Sequence, residues 1–286
     1  YNTETEAGDK KPASKEETEK IEYCLKKYAR AYREDGYADE YIKDPTSGWF
    51  AGKTAYDNAK KTMLASVYEN GGFYVGRYEA GISEFRTSNE NEPTEVPSSK
   101  QNMIPYTNIK RTQAKKLAEK VNSGGYTSSL MFGIQWDLML AFMQNKGGVD
   151  VSALTTDSTN IGNYSNNKWS ITNDKAQYST DGTWNNGSYT KGEEGAVLLT
   201  TGASDSFAKM NIYDVAGNVF EWTLECKLQK VSSKGVKLAS LINTQISPIR
   251  VAKSESRPCV GRGGIFRPRW YRVSGVWSCQ RQSRLL

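Results

Sequence analysis

Residues 211–223 constrain this chain more than any other stretch. They read Asn-Ile-Tyr-Asp-Val-Ala-Gly-Asn-Val-Phe-Glu-Trp-Thr, so two carboxylates, Asp214 and Glu221, flank a glycine in a segment otherwise apolar or neutral. Gly217 lets the backbone turn tightly and expose its carbonyls. Carboxylates and carbonyls around such a turn suit a hard cation such as Ca²⁺. The same residues also fit a plain turn, with Asp214 as a cap and Glu221 hydrogen-bonded internally. Beyond the glycine, Phe220 and Trp222 alternate with Val219 and Glu221. That is the spacing of a half-buried strand, and it makes both aromatics core residues.

Helical signals surround this segment. Residues 1–13 are charged and polar without an apolar period, which predicts a disordered tail. Ser14-Lys15-Glu16-Glu17 is a capping-box pattern. Ile21, Cys24, Leu25, Tyr28 and Tyr32 then recur at helical spacing, which predicts an amphipathic helix to about residue 33, docked on the main domain. A second helix is expected over 55–68, stopped by Asn70-Gly71-Gly72. Phe73-Tyr74-Val75-Gly76-Arg77-Tyr78-Glu79 reads as a strand, and 83–103 as a polar loop. Further helices are expected over 112–121 and 129–143. The second of these carries Ile134, Leu138, Ala141 and Phe142 on one stripe, with Trp136 in the core. Residues 145–192 are crowded with Gly, Asn, Ser, Thr and Trp. They predict a long excursion of loops and short strands, of the kind that is functional or disordered. A short strand over 196–200 and a glycine-kinked strand entry at 261–266 complete an α+β pattern. A helical extension over 14–70 precedes a main domain over 71–286.

Composition narrows the chemistry. The chain has no His, which excludes a His-dependent triad, His-ligated zinc and a two-His iron site. Its four cysteines, Cys24, Cys226, Cys259 and Cys279, form no C-x-x-C and suit no zinc knuckle. They are expected as free, partly buried thiols. Residues 250–286 hold nine Lys or Arg and one acid, a net +8 out of a total of +6, so the remainder is −2. A basic end of this kind meets an acidic partner or is simply solvated; nucleic acid is not expected. No stretch approaches the roughly 20 apolar residues of a membrane span. The chain begins at Tyr1 rather than Met, so a leader could precede it and the compartment stays open.

The 211–223 segment closely resembles the "LYDMAGNVWEWT" signature of the formylglycine-generating enzyme (sulfatase-modifying factor) family. Other segments follow in that family's order. Phe73 to Glu79 resembles its "F-x-x-x-x-Y-E-V" strand. Residues 105–114 resemble "P-V-x-x-V-S-W-x-D-A". Leu130-Met131-Phe132-Gly133-Ile134-Gln135-Trp136-Asp137 resembles "R-L-P-T-E-A-E-W-E", and Arg262-Gly263-Gly264-Ile265-Phe266 resembles "R-G-G-S-W". The resemblance spans 73–266, about two thirds of the chain. It implies a C-type-lectin-type α+β fold over 71–286. It also implies a structural Ca²⁺ site at Asp214, Gly217, Val219 and Glu221, the glycine and valine acting through backbone oxygens.

The same resemblance argues against the family's chemistry. Its oxidase activity needs two cysteines after the R-G-G motif to hold copper(I), a soft ion that thiolates bind. Pro268 and Val273 stand at the matching positions. Cys279 comes six residues too late, and Cys259 precedes the motif. Relatives that form sulfur–carbon bonds use His-held iron, and this chain has no His. Neither copper nor iron is therefore expected. The expectation is a ligand-binding protein that takes a protein or glycan through the 145–192 loops and through Arg267, Arg269, Trp270, Tyr271, Arg272 and Trp277. Arg, Trp and Tyr are the types that dominate binding hot spots. The variable proteins of diversity-generating retroelements are similar in this respect. The alternative is a formylglycine-generating-type oxidoreductase with displaced cysteines, acting on a peptide cysteine. The family closes on a "G-F-R" strand that is not recognisable at 280–286, so a divergent, diversified or frame-shifted tail all remain open.

Overall fold

The computed structural model of the chain describes residues 15–32, 37–41, 49–88, 91–121, 125–155, 161–192, 195–227, 261–262 and 283–284. Among these the protein is α+β, with five α-helices and fifteen strands of two or three residues each. No helix among the described residues is long and apolar enough to cross a membrane.

The helices are α1 (Lys15–Tyr28), α2 (Lys53–Asn70), α3 (Arg111–Ala118), α4 (Gly133–Gly147) and α5 (Val151–Thr155). Helix α1 lies against α2 and α4. Its Ile21 and Leu25 are buried, while Tyr28 turns outward and its hydroxyl accepts a bond from Asn145 Nδ2 at 2.8 Å. Helix α2 stops where its sequence says it should: Gly71 follows it at φ 71°, the left-handed conformation that glycine adopts without strain. Helix α3 begins with Gln113 Oε1 accepting the Lys110 N–H at 2.9 Å.

The start of α4 is supplied from far away in sequence. Asp39 accepts the N–H groups of Gly133 and Ile134 at 2.6 and 2.9 Å, one on each carboxylate oxygen. Two of the helix's orphan donors are thereby satisfied. Burial, then the nearby Glu225, push the Asp39 carboxyl up to about 6, and the two N–H donors pull it partly back.

The strands run in order as β1 (Tyr37–Ala38), β2 (Ala80–Ile82), β3 (Ser98–Ser99), β4 (Ile104–Pro105), β5 (Trp169–Ser170), β6 (Gln177–Ser179), β7 (Asn185–Asn186) and β8 (Thr190–Lys191). They continue as β9 (Leu198–Leu199), β10 (Ala208–Lys209), β11 (Ile212–Tyr213), β12 (Phe220–Trp222), β13 (Cys226–Lys227), β14 (Gly261–Arg262) and β15 (Ser283–Arg284). Six small sheets result, ordered β1-β13, β3-β2-β4, β5-β8, β7-β6-β9, β10-β11 and β14-β12-β15. All pairs are antiparallel except β12 with β15, which is parallel.

Three expectations need correction. Residues 73–79 form no strand; pairing starts at Ala80. The Ser99 hydroxyl takes the Tyr78 N–H and returns a bond to its carbonyl, and Tyr213 N–H goes to Arg77 O, so no ladder runs alongside this segment. In α4 the expected apolar stripe is wrong at one end. Phe142 is 46% exposed, whereas Trp136, Met139 and Met143 are buried. The helix is covered on most sides, so no single stripe describes it. At β12 the burial is the reverse of the expectation in part: Val219 and Glu221 are as inaccessible as Trp222, while Phe220 is only half-buried.

One core joins the first two helices to the rest. Ile21, Tyr56 and Leu64 pack with Ile82, Ile109, Phe132 and Trp222. Two buried polar groups are paid off across this core: Tyr56 Oη donates to Leu224 O and Trp222 Nε1 to Ile109 O, both at 3.0 Å. A second cluster sets the opposite face of α4, through Trp136 and Met143, against Tyr32, Leu154 and Val215. A third, built on Trp169, Leu199 and Phe207, belongs to the mid-chain excursion.

Candidate functional site

The 211–223 segment follows a tightly coiled path. Strands β10 and β11 are joined by Met210 and Asn211 alone, at φ 52° and 62°. Positive φ at both positions is what a two-residue hairpin turn requires. Three more left-handed residues follow: Asp214 at φ 58°, Gly217 at 75° and Asn218 at 56°. Gly217 bridges to Asn163. Here the backbones of the two segments touch, since a Cβ on Gly217 would fall inside contact distance of the Asn163 backbone, and one on Gly162 inside that of Ala216. The glycines are required by proximity as well as by φ.

A buried polar network grows from this contact. Asn218 N–H donates to Asn163 O at 2.8 Å. The Asn218 amide group accepts from Asn163 Nδ2 at 3.0 Å and Leu199 N at 3.1 Å, and donates to Glu79 Oε2 at 2.8 Å. Asn163 Nδ2 also reaches Val197 O at 2.7 Å. Asp214 Oδ2 accepts the Gly202 N–H at 2.8 Å. Glu79, Asp214, Asn163 and Asn218 are all buried. Burial drives the Glu79 carboxyl well above its usual range, and the Asp214 charge adds to the rise while the Asn218 bond opposes it. Burial likewise pushes Asp214 up to about 7, against the pull of the Gly202 N–H.

The expected cation ligands fall in this region. The plain-turn reading had Asp214 capping its own turn; the carboxylate instead takes the N–H of Gly202, 12 positions earlier. The Val219 side chain packs with Leu198. Glu221 lies in the central strand of its sheet, where the register sets Arg262 opposite on β14 and Arg284 opposite on β15. Among the described residues no three His, Cys, Asp or Glu side chains form a metal-holding group. The donor chemistry nonetheless fits a hard ion: Asp214 and Glu221 are buried oxygen donors, and a cation beside Asp214 would bring its raised carboxyl down.

The mid-chain excursion carries the other feature, a cleft of about 550 Å³ between residues 166–172 and 204–207. Its floor is formed by Trp169 and Phe207, packed edge to face at 5.8 Å between ring centres. Asn166, Ser170, Thr172 and Ser206 line its rim and are exposed. Strand β5 is held on one side by β8. On its other side Ser204 Oγ donates to Ser170 O at 2.7 Å and Asp205 N–H to Thr172 Oγ1 at 2.9 Å. The cleft is thus braced across a sequence separation of more than 30 residues.

The second expected ligand surface, Arg267, Arg269, Trp270, Tyr271, Arg272 and Trp277, lies outside the described residues, as do Pro268, Val273, Cys259 and Cys279. Cys24 and Cys226 are free thiols. Burial pushes the Cys226 thiol up to about 11, so the reactive thiolate is scarce at neutral pH. Sequence reasoning did not foresee Glu79 and Asn163 as partners of the motif. A lone acid ahead of the apolar run Ala80-Gly81-Ile82 was the available signal for Glu79; Gly162-Asn163 lay unmarked within the 145–192 excursion. Comparison with protein-family models, with curated proteins and with solved structures found no match in any of the three.

Proposed function

We propose that the chain is a non-catalytic ligand-binding protein on a formylglycine-generating-enzyme-like, C-type-lectin-type scaffold, taking a protein or glycan through its mid-chain loops and the 266–279 segment. The observation that carries this reading is the braced cleft of about 550 Å³, formed between the loop-rich stretch singled out in the sequence and residues 204–207. Ligand sites are commonly concave, with a few placed polar groups over an apolar floor. Loops set on a rigid frame are where binding residues concentrate. The Asn163–Asn218–Glu79 network supplies such a frame, because its members are buried, and Asn163 and Asn218 bond to the backbone of 197–199 while Asn218 also holds Glu79. The lack of His and of the copper-binding cysteine pair supports binding rather than oxidation. Calcium in this reading is structural, held by Asp214, Glu221 and the backbone oxygens of Gly217 and Val219.

The test is binding by the full chain on protein and glycan arrays, compared with the double variant Arg269→Ala plus Trp270→Ala and with Ser206→Trp. Loss of a specific ligand in either variant, with the thermal transition retained, is the expected result. Stoichiometric Cu(I) uptake that depends on Cys259 and Cys279, with turnover of a cysteine peptide, would overturn the reading in favour of the oxidoreductase.

A further inference from the structure

We infer that the cleft over Trp169 and Phe207 takes a neutral saccharide unit; the inference rests on the ligand-binding reading above and names the ligand class for this one site. The lining selects the class by elimination and by fit. Strand addition by a peptide needs an open edge, and the outer edge of β5 is already closed. Thr172 N–H and Asn173 N–H both donate to Ala203 O at 3.2 Å, and Ser204 caps Ser170 O. A phosphate or nucleotide site calls for several cations or a helix N-terminus. This lining offers a single cation, Lys168, and no α-helix N-terminus, only the one-turn 3-10 helix Asp205–Phe207. A greasy ligand needs exposed apolar area, yet Trp169 and Phe207 are only 7% and 3% exposed and lend little more than edges.

What remains is a rim of hydroxyls and amides over an aromatic floor. Asn166 makes no side-chain hydrogen bond among the described residues, so its amide offers donor and acceptor together. Ser206 shares one bond with Ser204 at 2.8 Å and keeps hydroxyl capacity in reserve. Hydroxyls on a small ring match this array, since each both donates and accepts. The cleft volume, about 550 Å³, lies in the range of small-molecule sites, roughly 300–1,000 Å³.

The experiment is a printed array of neutral and sialylated oligosaccharides probed with the full chain, followed by calorimetry on the strongest neutral hit. The expected result is saturable binding of a neutral oligosaccharide that Ser206→Trp abolishes and Asn166→Ala weakens about fivefold, the worth of one hydrogen bond. Should Ser206→Trp fail to fold by circular dichroism, Ser206→Ala with Asn166→Ala replaces it, and their losses combine. No binding to any glycan overturns the inference, as does binding indifferent to these variants. Preference for sialylated glycans lost in Lys168→Ala overturns the neutral class. A protein ligand that the Arg269/Trp270 variant loses, with no glycan bound, removes the saccharide while leaving the ligand-binding reading intact.

Discussion

Replacing Gly217 by alanine tests the central contact of the fold, and Gly71→Ala is its matched control. Both glycines sit in the left-handed region, at φ 75° and 71°. An alanine there costs about 1 kcal/mol of backbone strain in either place. The surroundings differ. A Cβ on Gly71 meets nothing within 4 Å, whereas one on Gly217 collides with backbone atoms of Asn163. Backbone cannot swing aside as a flexible side chain would. Relief must come from separating the two segments, which puts at risk the bond from Asn218 N–H to Asn163 O and the one between the two amide groups. Buried bonds lost in this way cost about 1–3 kcal/mol each. Gly217→Ala should therefore destabilise by roughly 3–7 kcal/mol in all. At about 2–4 °C per kcal/mol for a chain of this size, Tm falls by about 6–28 °C for Gly217→Ala and about 2–4 °C for Gly71→Ala. Thermal melts followed by circular dichroism and calorimetry read this directly. Equal shifts in the two variants would refute the close approach of 162–163 to 216–217, and with it the frame on which the cleft is built.

Asp214 is held at about 7 and Glu79 above its usual range, so the folded state keeps protons that the unfolded chain has released. The Asp214 contribution is complete below about pH 4 and lost as pH rises through 7, a loss of roughly 4 kcal/mol; the Glu79 contribution is lost in the same direction, as pH rises. Asp214→Asn removes that loss, so its Tm relative to the parent should climb between about pH 5 and pH 8; a constant difference contradicts the burial argument. If the site holds calcium, the ion binds the ionised form, so millimolar Ca²⁺ raises the parent's Tm more at about pH 8 than at about pH 5. The rise vanishes in Asp214→Asn, and no rise at either pH removes calcium from the reading. Asp39→Ala strips the start of α4 of both its carboxylate bonds and should cost about 1–2 kcal/mol in urea unfolding. Asp39→Asn, which keeps one acceptor, should cost less; equal costs would show that the capping bonds do not carry the effect.

The helices were legible because their signals are local. The apolar period of α1 and the Asn70-Gly71-Gly72 stop of α2 lie within one or two turns of what they control, and the structure follows them to within a few residues. The strands were less so. A period-2 pattern needs several residues to declare itself, and these strands have two or three. Residues 73–79 had strand composition but make only single bonds, from Tyr213 and Ser99, and no ladder among the described residues, and Phe142 had helical phase but is 46% exposed among them. At the site, the sequence marked Asp214 and Glu221 by chemical type, and the loop-rich stretch by composition. It marked neither Glu79 nor Asn163 as a partner of the motif.

What the chain's own order of residues determined is therefore chemical inventory and local geometry: no His anywhere, glycine where the backbone must turn left-handed, carboxylates close to a tight turn, and helices with their ends. Tertiary structure alone decided that Asn218 would meet Glu79 across 139 positions and that Asp39 would cap a helix 94 positions away. It also decided that the edge of β5 would be closed and a cleft left beside it. The physical reason is one of range. Torsional preference and helical period act between neighbours in sequence, whereas desolvation of a carboxyl group and closure of a strand edge depend on which distant segment the core brings alongside.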